Sequence, residues 1–260
     1  MASAPQPTLP LFYQDLMPLN SRDHANWRAR PLDSIQWLVK QHAVPLTAEE
    51  FISAQRDYPI IFSAGDNPVP LALMGLNEGV NTFIDDEGKP IGEFYLPAYA
   101  RRYPYLLARL TPEAEELSLC FDPTSEALGA FDEGDALFGE DAQPAAPVQA
   151  ALQFCEQFEQ AGARTQAFMD ELKKHDLLMD GEVAITRNDN PEKPYVYRGF
   201  RMVNEEKLRG LDAEVLKEWT GTGLLAIVFA HMFSLDRMRI IFERQASQGK
   251  MPEGPGETAS

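Results

Sequence analysis

Cysteine is nearly missing from this 260-residue chain: Cys120 and Cys155 are the only two. Two thiols are too few for a disulfide framework or a cysteine-rich zinc site, so a reduced, cytoplasmic setting is expected, with room for at most one bridge. Long apolar runs are missing too. The most apolar window, Gly223 to Ala230, is far short of the roughly 20 residues a membrane helix needs, and His231, Asp236 and Arg237 follow it. No membrane insertion is expected. The opening residues carry Pro5, Pro7 and Pro10 without a charged start and an apolar run behind it, so no secretory signal is expected. Positive charge is scarce: 23 Lys and Arg face 40 Asp and Glu, a formal net charge of -17. Such a chain repels phosphate backbones and anionic lipid, which disfavours nucleic acid as a partner.

The familiar catalytic signatures are absent as well. There is no phosphate-binding glycine loop followed by Lys and Ser or Thr, no Gly-x-Ser-x-Gly elbow and no His-Glu-x-x-His. Gly221-Thr222-Gly223 lacks the third glycine of a dinucleotide fingerprint and reads as a helix start. Histidines stand at 24, 42, 175 and 231, widely separated. His24, His231 and Asp236 are the residues from which a facial triad for non-haem iron would be drawn; against this, a histidine on a buried helix is more simply a hydrogen-bonded core residue.

What is present is ordinary globular composition, 44% hydrophobic and 10% aromatic, in a length sufficient for a core without staples. The chain is densest in structural signals from Asp57 to Leu107. Tyr58–Phe62 and Pro70–Leu76 are apolar runs separated by a turn containing Gly65 and Asn67-Pro68, which predicts strand, turn, strand. Before them, Ile35, Trp37 and Val39 alternate as a short strand would, and Thr47 with Glu50 forms a capping-box pattern that opens a helix to about Arg56. Tyr105–Leu110 and Leu117–Phe121 are expected to be two further strands.

Apolar residues then recur every three or four positions from Val148 to Leu172, which predicts a long amphipathic helix over about 147–175, ending near Leu177–Gly181. Strands are expected at 182–186 and 195–203, a helix at 204–216 broken by Trp219–Gly223, and one buried helix over 224–243. Together these predict an α+β fold, its sheet mixed or mainly antiparallel, packed on the long helix and the C-terminal helix. The folded body is expected over 11–244 as a single domain, with tails at 1–10 and 245–260.

Two features bear on partners. Arg101 and Arg102 lie among Tyr95, Tyr99, Tyr103 and Tyr105, and Tyr with Arg is a combination enriched where proteins bind partners. Together with Tyr58, Asn77 and Asn81 from the same stretch, these residues form the expected binding face for a peptide or protein; the alternative is that the arginines pair with acids of the chain itself. Between Arg109 and Arg164 there is no Lys or Arg, yet twelve Asp and Glu occur. This reads as a solvated acidic segment, or else as a site for a cation or basic partner, although Asp132-Glu133-Gly134-Asp135 lacks the spacing of a calcium loop.

The segments DYPIIF (57–62), GLNEGVN (75–81), YLPAYARRYPYLL (95–107), RTQAF (164–168), YRGFRMVNEEKLRGL (197–211) and GLLAIVFAHMFSLDRM (223–238) together resemble the bacterial SapC family. The resemblance runs over about 11–244, and its most specific pieces are the Arg-Arg-Tyr-Pro block at 101–104 and 230–235. It does not extend to the membrane-spanning peptide permease of the same name. What it implies is a setting: the name derives from a surface-layer gene cluster, and members often lie beside genes for TonB-dependent receptors, flavin-dependent halogenases and cupin-like oxygenases. It carries no catalytic residues. The first expectation is therefore a soluble, non-catalytic accessory protein that recognises a peptide or protein partner of an uptake or peptide-modification system, without cofactor. A homo-oligomer is compatible with it. The second is an iron-dependent, oxygenase-like enzyme, and the third a structural surface-layer component.

Overall fold

The computed structural model describes residues 9–111, 114, 116–187 and 190–251. In chain order the strands are β1 (Met17–Pro18), β2 (Arg28–Ala29), β3 (Ala43–Pro45), β4 (Ile60–Ser63), β5 (Pro70–Leu73), β6 (Tyr105–Ala108), β7 (Ser118–Phe121), β8 (Leu128–Gly129), β9 (Asp135–Ala136), β10 (Leu178–Arg187) and β11 (Asn190–Val203). The helices are α1 (Phe51–Ala54), α2 (Ala98–Arg101), α3 (Ala146–Lys174), α4 (Glu205–Arg209), α5 (Ala213–Thr222), α6 (Leu224–Ser234) and α7 (Arg237–Ser247). The fold is α+β, and every paired strand is antiparallel. The chain divides into two compact units: one takes the residues up to Ser34 together with Arg101–Glu159, the other Ile35–Ala100 and the residues from Gln160 onward.

The first unit holds two three-stranded sheets, ordered β1-β7-β6 and β8-β2-β9. Its core is a cluster of Phe121, Ala127, Leu128, Leu137, Phe138 and Val148, with Trp27, Ala29 and Tyr105 packed against it. Asp122 ties the N-terminal segment down. Fully buried, its carboxylate accepts from the Gln14 N–H at 2.7 Å and from the Thr124 N–H and hydroxyl at 2.8 and 2.7 Å. A buried carboxylate needs such donors, because water no longer supplies them.

The second unit is built on a five-stranded sheet, β10-β11-β4-β5-β3. Phe62 of β4 meets Phe168 of α3 at 6.4 Å between ring centres, and Phe168 in turn meets Phe51 of α1 at 5.7 Å. The period seen in the sequence of α3 buries most of the face it predicts, with Leu152 left exposed. Thr165, on that face, donates its hydroxyl to Ala161 O and accepts the Ala48 N–H at 2.8 Å.

Several local expectations are corrected. Ser34–Val39 is no strand: Gln36–Leu38 is a 3₁₀ turn whose backbone groups bond to loops, Ile35 N–H to Gly88 O and Leu38 O to the Asn81 amide. The strands between 58 and 121 do not share one sheet; β4 and β5 join the second unit's sheet, whereas β6 and β7 pair with β1 in the first. The end of α3 is marked by Asp176 at φ 50, and Leu178–Gly181 already belongs to β10, where Gly181 faces Phe200 so closely that a Cβ would lie 2.1 Å from the ring. Trp219–Gly223 does not break a helix but completes one, α5, which stops at Gly223 with φ 80, a conformation glycine adopts without strain. The run 224–243 is two helices, and Phe229, Phe233 and Ile240 on them are exposed. Finally, α7 runs past Arg244 to Ser247, with Gln245 fully buried and accepting the Leu76 N–H at 2.9 Å.

Candidate binding site

In the second unit the expected binding residues are woven into the fold around Glu50. The capping box forms: Glu50 Oε2 accepts from the Thr47 N–H at 2.8 Å and the Thr47 hydroxyl at 3.0 Å. Its other oxygen accepts from the Tyr95 hydroxyl at 3.0 Å and the Ala98 N–H at 2.6 Å. One buried carboxylate thus caps a helix and anchors the loop that leads into α2. Tyr58 is fully buried, with its hydroxyl donating to Tyr95 O at 2.5 Å and its ring edge-on to Phe83 at 4.7 Å; burial first, then the Asp57 charge, pushes its pKa far above the usual phenol range. Tyr99 is buried. Asn81, 1% exposed, donates to Leu38 O and Gln41 O and accepts from the Phe83 N–H. Asn77 accepts from Gln245 Nε2 at 2.6 Å.

Arg101, Arg102 and Tyr103 belong to the first unit. Arg102 is 8% exposed, with its guanidinium 4.4 Å above the Phe158 ring and Nη1 3.6 Å from Glu159 Oε1. Arg101 is exposed and covers Phe154 at 5.3 Å. The arginines thus engage α3, and Arg102 makes the internal pairing with an acid of the basic-free segment. Tyr103 is half-buried, edge-on to Tyr13 at 5.3 Å; burial and the neighbouring Asp122 carboxylate raise its pKa.

His231 and His24, two of the three residues expected for iron, are engaged by the fold. His231 is fully buried and both ring nitrogens are engaged: Nε2 accepts the Val203 N–H at 3.1 Å, and Nδ1 lies 2.8 Å from Ile60 O, to which it donates. Desolvation lowers its pKa to about 4. His24 Nδ1 lies 3.0 Å from Asn20 O and 3.2 Å from Asn20 N, and its ring is edge-on to Trp27 and Phe121. Among the described residues, no group of three or more His, Cys, Asp and Glu is placed to hold a metal ion.

The surface that sequence reasoning missed is on α6. Phe229 and Phe233, 38% and 65% exposed, stack at 5.8 Å with an interplanar angle of 16°. The helical period places Met232 beside Phe229, three residues on. Met232 and Leu235 line a cleft of about 440 Å³ with Met179 of β10, Met202 and Val203 of β11, and Asn204, Glu205 and Glu206 at its rim. That volume is within the range of about 300–1,000 Å³ typical of ligand sites. The signal was the Phe229/Phe233 spacing of four. It was hidden because the run from Leu224 looks apolar on every side, which reads as burial.

An α+β protein built on antiparallel sheets, with no described helix long and apolar enough to cross a membrane, is the class this architecture defines. Within it the chain belongs to the SapC family, whose model matches residues 19–241. No curated protein and no solved structure matches it.

Proposed function

We propose that this protein is a non-catalytic accessory protein that recognises a peptide or protein partner, and that α6 presents the main contact. The observation that carries the reading is the stacked, exposed Phe229/Phe233 pair on the helix whose Met232 lines a methionine-rich cleft. Large aromatics left in water cost free energy unless they are covered, and contiguous exposed apolar surface marks interaction sites. Methionines adapt to varied partner shapes, and a groove of this kind suits the apolar face of an amphipathic helix. A net charge of -17 opposes stacking a second copy of the chain there and favours a different, less acidic partner. The setting, an outer-membrane uptake or peptide-modification system as the family resemblance implies, and the cytoplasmic location expected from the scarcity of cysteine, belong to the same proposal.

The test is affinity capture from the producing cells with the wild-type chain and with Phe229→Asp/Phe233→Asp. A defined protein recovered by the wild type and lost with the variant supports the reading. Identical recovery by both overturns it.

A further inference from the structure

A second cleft, in the first unit and independent of α6, has the chemistry to take a cationic side chain. It measures about 570 Å³ and is lined by Trp27, Arg28, Phe131, Asp132, Phe138 and Glu140, among others. Its walls are fixed by the fold. Trp27 packs on the core cluster that contains Phe138, and it is edge-on to Phe121 at 5.6 Å. Phe131 is pressed so closely on Gly129 that a Cβ there would lie 2.8 Å from the ring. The loop between β8 and β9 closes on β2 because residue 134 is glycine: at φ +117 its Cβ would stand 2.4 Å from Ala29 O. Arg28 clamps the same loop, donating from Nη1 to Gly134 O at 2.8 Å.

We infer that this cleft binds an arginine or lysine side chain of an extended peptide segment, between the Trp27 ring and the Asp132 and Glu140 carboxylates. Aromatic faces attract cations, and a carboxylate within reach adds a charge-assisted hydrogen bond. The chain's own Arg30 already uses that attraction, its guanidinium 4.2 Å over the Phe131 ring, so the aromatic wall left to an incoming cation is Trp27. The lining contributes two carboxylates against one guanidinium, and that guanidinium is turned to a backbone carbonyl. Glu133 and Asp135 flank it, exposed, within a stretch that has no Lys or Arg from 110 to 163. Charge complementarity therefore selects a basic peptide over an acidic or apolar one, and it would steer the approach as well.

The probe is the acetylated pentapeptide Gly-Gly-Arg-Gly-Gly amide, with citrulline replacing arginine as the isosteric neutral control, titrated into the full chain and followed by the indole N–H resonance of Trp27. The arginine peptide is expected to shift this resonance saturably and to bind about tenfold more tightly than the citrulline peptide, which keeps the shape and loses the charge. Asp132→Asn/Glu140→Gln should abolish that difference, and Ala25→Lys, which adds a cation to the lining without touching the acids, should block binding. Glu214→Gln/Glu218→Gln removes the same charge from the other unit and should change nothing. Equal affinity for both peptides, an unchanged titration in the cleft variants, or equal weakening by the remote pair would overturn the inference; the last outcome would reduce it to diffuse attraction by an acidic chain. Because α6 is untouched by these variants, their failure leaves the capture experiment with Phe229 and Phe233 unaffected.

Discussion

The Tyr95 hydroxyl donates to Glu50 at 3.0 Å across 45 positions of sequence, and the carboxylate that accepts it is the same one that closes the capping box with Thr47. With 6% of its surface exposed, Glu50 is held by four donors. Replacing it by alanine leaves the N–H groups of buried Thr47 and half-buried Ala98 without their acceptor. Glu50→Ala is expected to cost about 3 kcal/mol, given that hydrogen bonds to a charged group contribute about 1.5–3 kcal/mol each and an orphaned buried donor adds its desolvation cost. Urea unfolding at neutral pH measures it. A change below about 0.5 kcal/mol, typical of a surface site, would contradict this role.

His231 makes stability depend on pH. Its pKa in the folded chain is lowered from 6.5 to about 4, chiefly by desolvation, so the folded protein holds it neutral while the unfolded chain takes up a proton below about pH 6.5. The unfolded state binds more protons in this window, and stability therefore rises with pH between about 4 and 6.5, is complete above it, and is lost progressively on acidification, with a limiting slope of about 1.4 kcal/mol per pH unit. His231→Gln keeps an acceptor and a donor but does not titrate; its unfolding free energy should show a shallower slope over the same window. Parallel slopes would contradict the assignment.

Both thiols should be inert in the folded chain. Burial pushes the Cys155 pKa up to about 11 and raises that of Cys120, and both side chains are buried. At pH 8 a thiol with a pKa near 11 is ionised to only about one part in a thousand, and the thiolate is the reactive form. An aromatic disulfide reagent should label neither cysteine in native buffer and both in guanidinium. Rapid native labelling of either would contradict the packing described.

Gly134 is the residue on which the loop between β8 and β9 depends. Alanine there would combine a positive φ with a Cβ 2.4 Å from Ala29 O, so Gly134→Ala is expected to destabilise the chain by about 2 kcal/mol, within the range for forced backbone strain. Denaturant unfolding gives the value, and a neutral result would mean that the loop can move off β2.

Much of this architecture is legible in the sequence because it depends on local patterns. The Thr47–Glu50 box, the apolar stripe of α3 and the positions of β4, β5, β6, β7 and β11 follow from spacing and turn residues alone. What spacing does not encode is who meets whom. The second Glu50 oxygen reaches Tyr95 and Ala98 from far along the chain, and Arg102 lies on Phe158 and beside Glu159. The α6 surface was hidden for a different reason: a segment with apolar residues on every side has no moment to tell which face is left in water, and the turn at Leu235–Asp236 that frees Phe233 carries no glycine or proline.

The account stands or falls on α6 as a contact surface, and site-specific photo-crosslinking in the producing cells tests it most directly. A benzophenone amino acid placed at 233 should give one dominant cross-linked product, lost when Phe229→Asp is added; the same group at Ile52, itself 52% exposed, should not give it. The same products from both positions, or none from 233, would contradict a partner on this face.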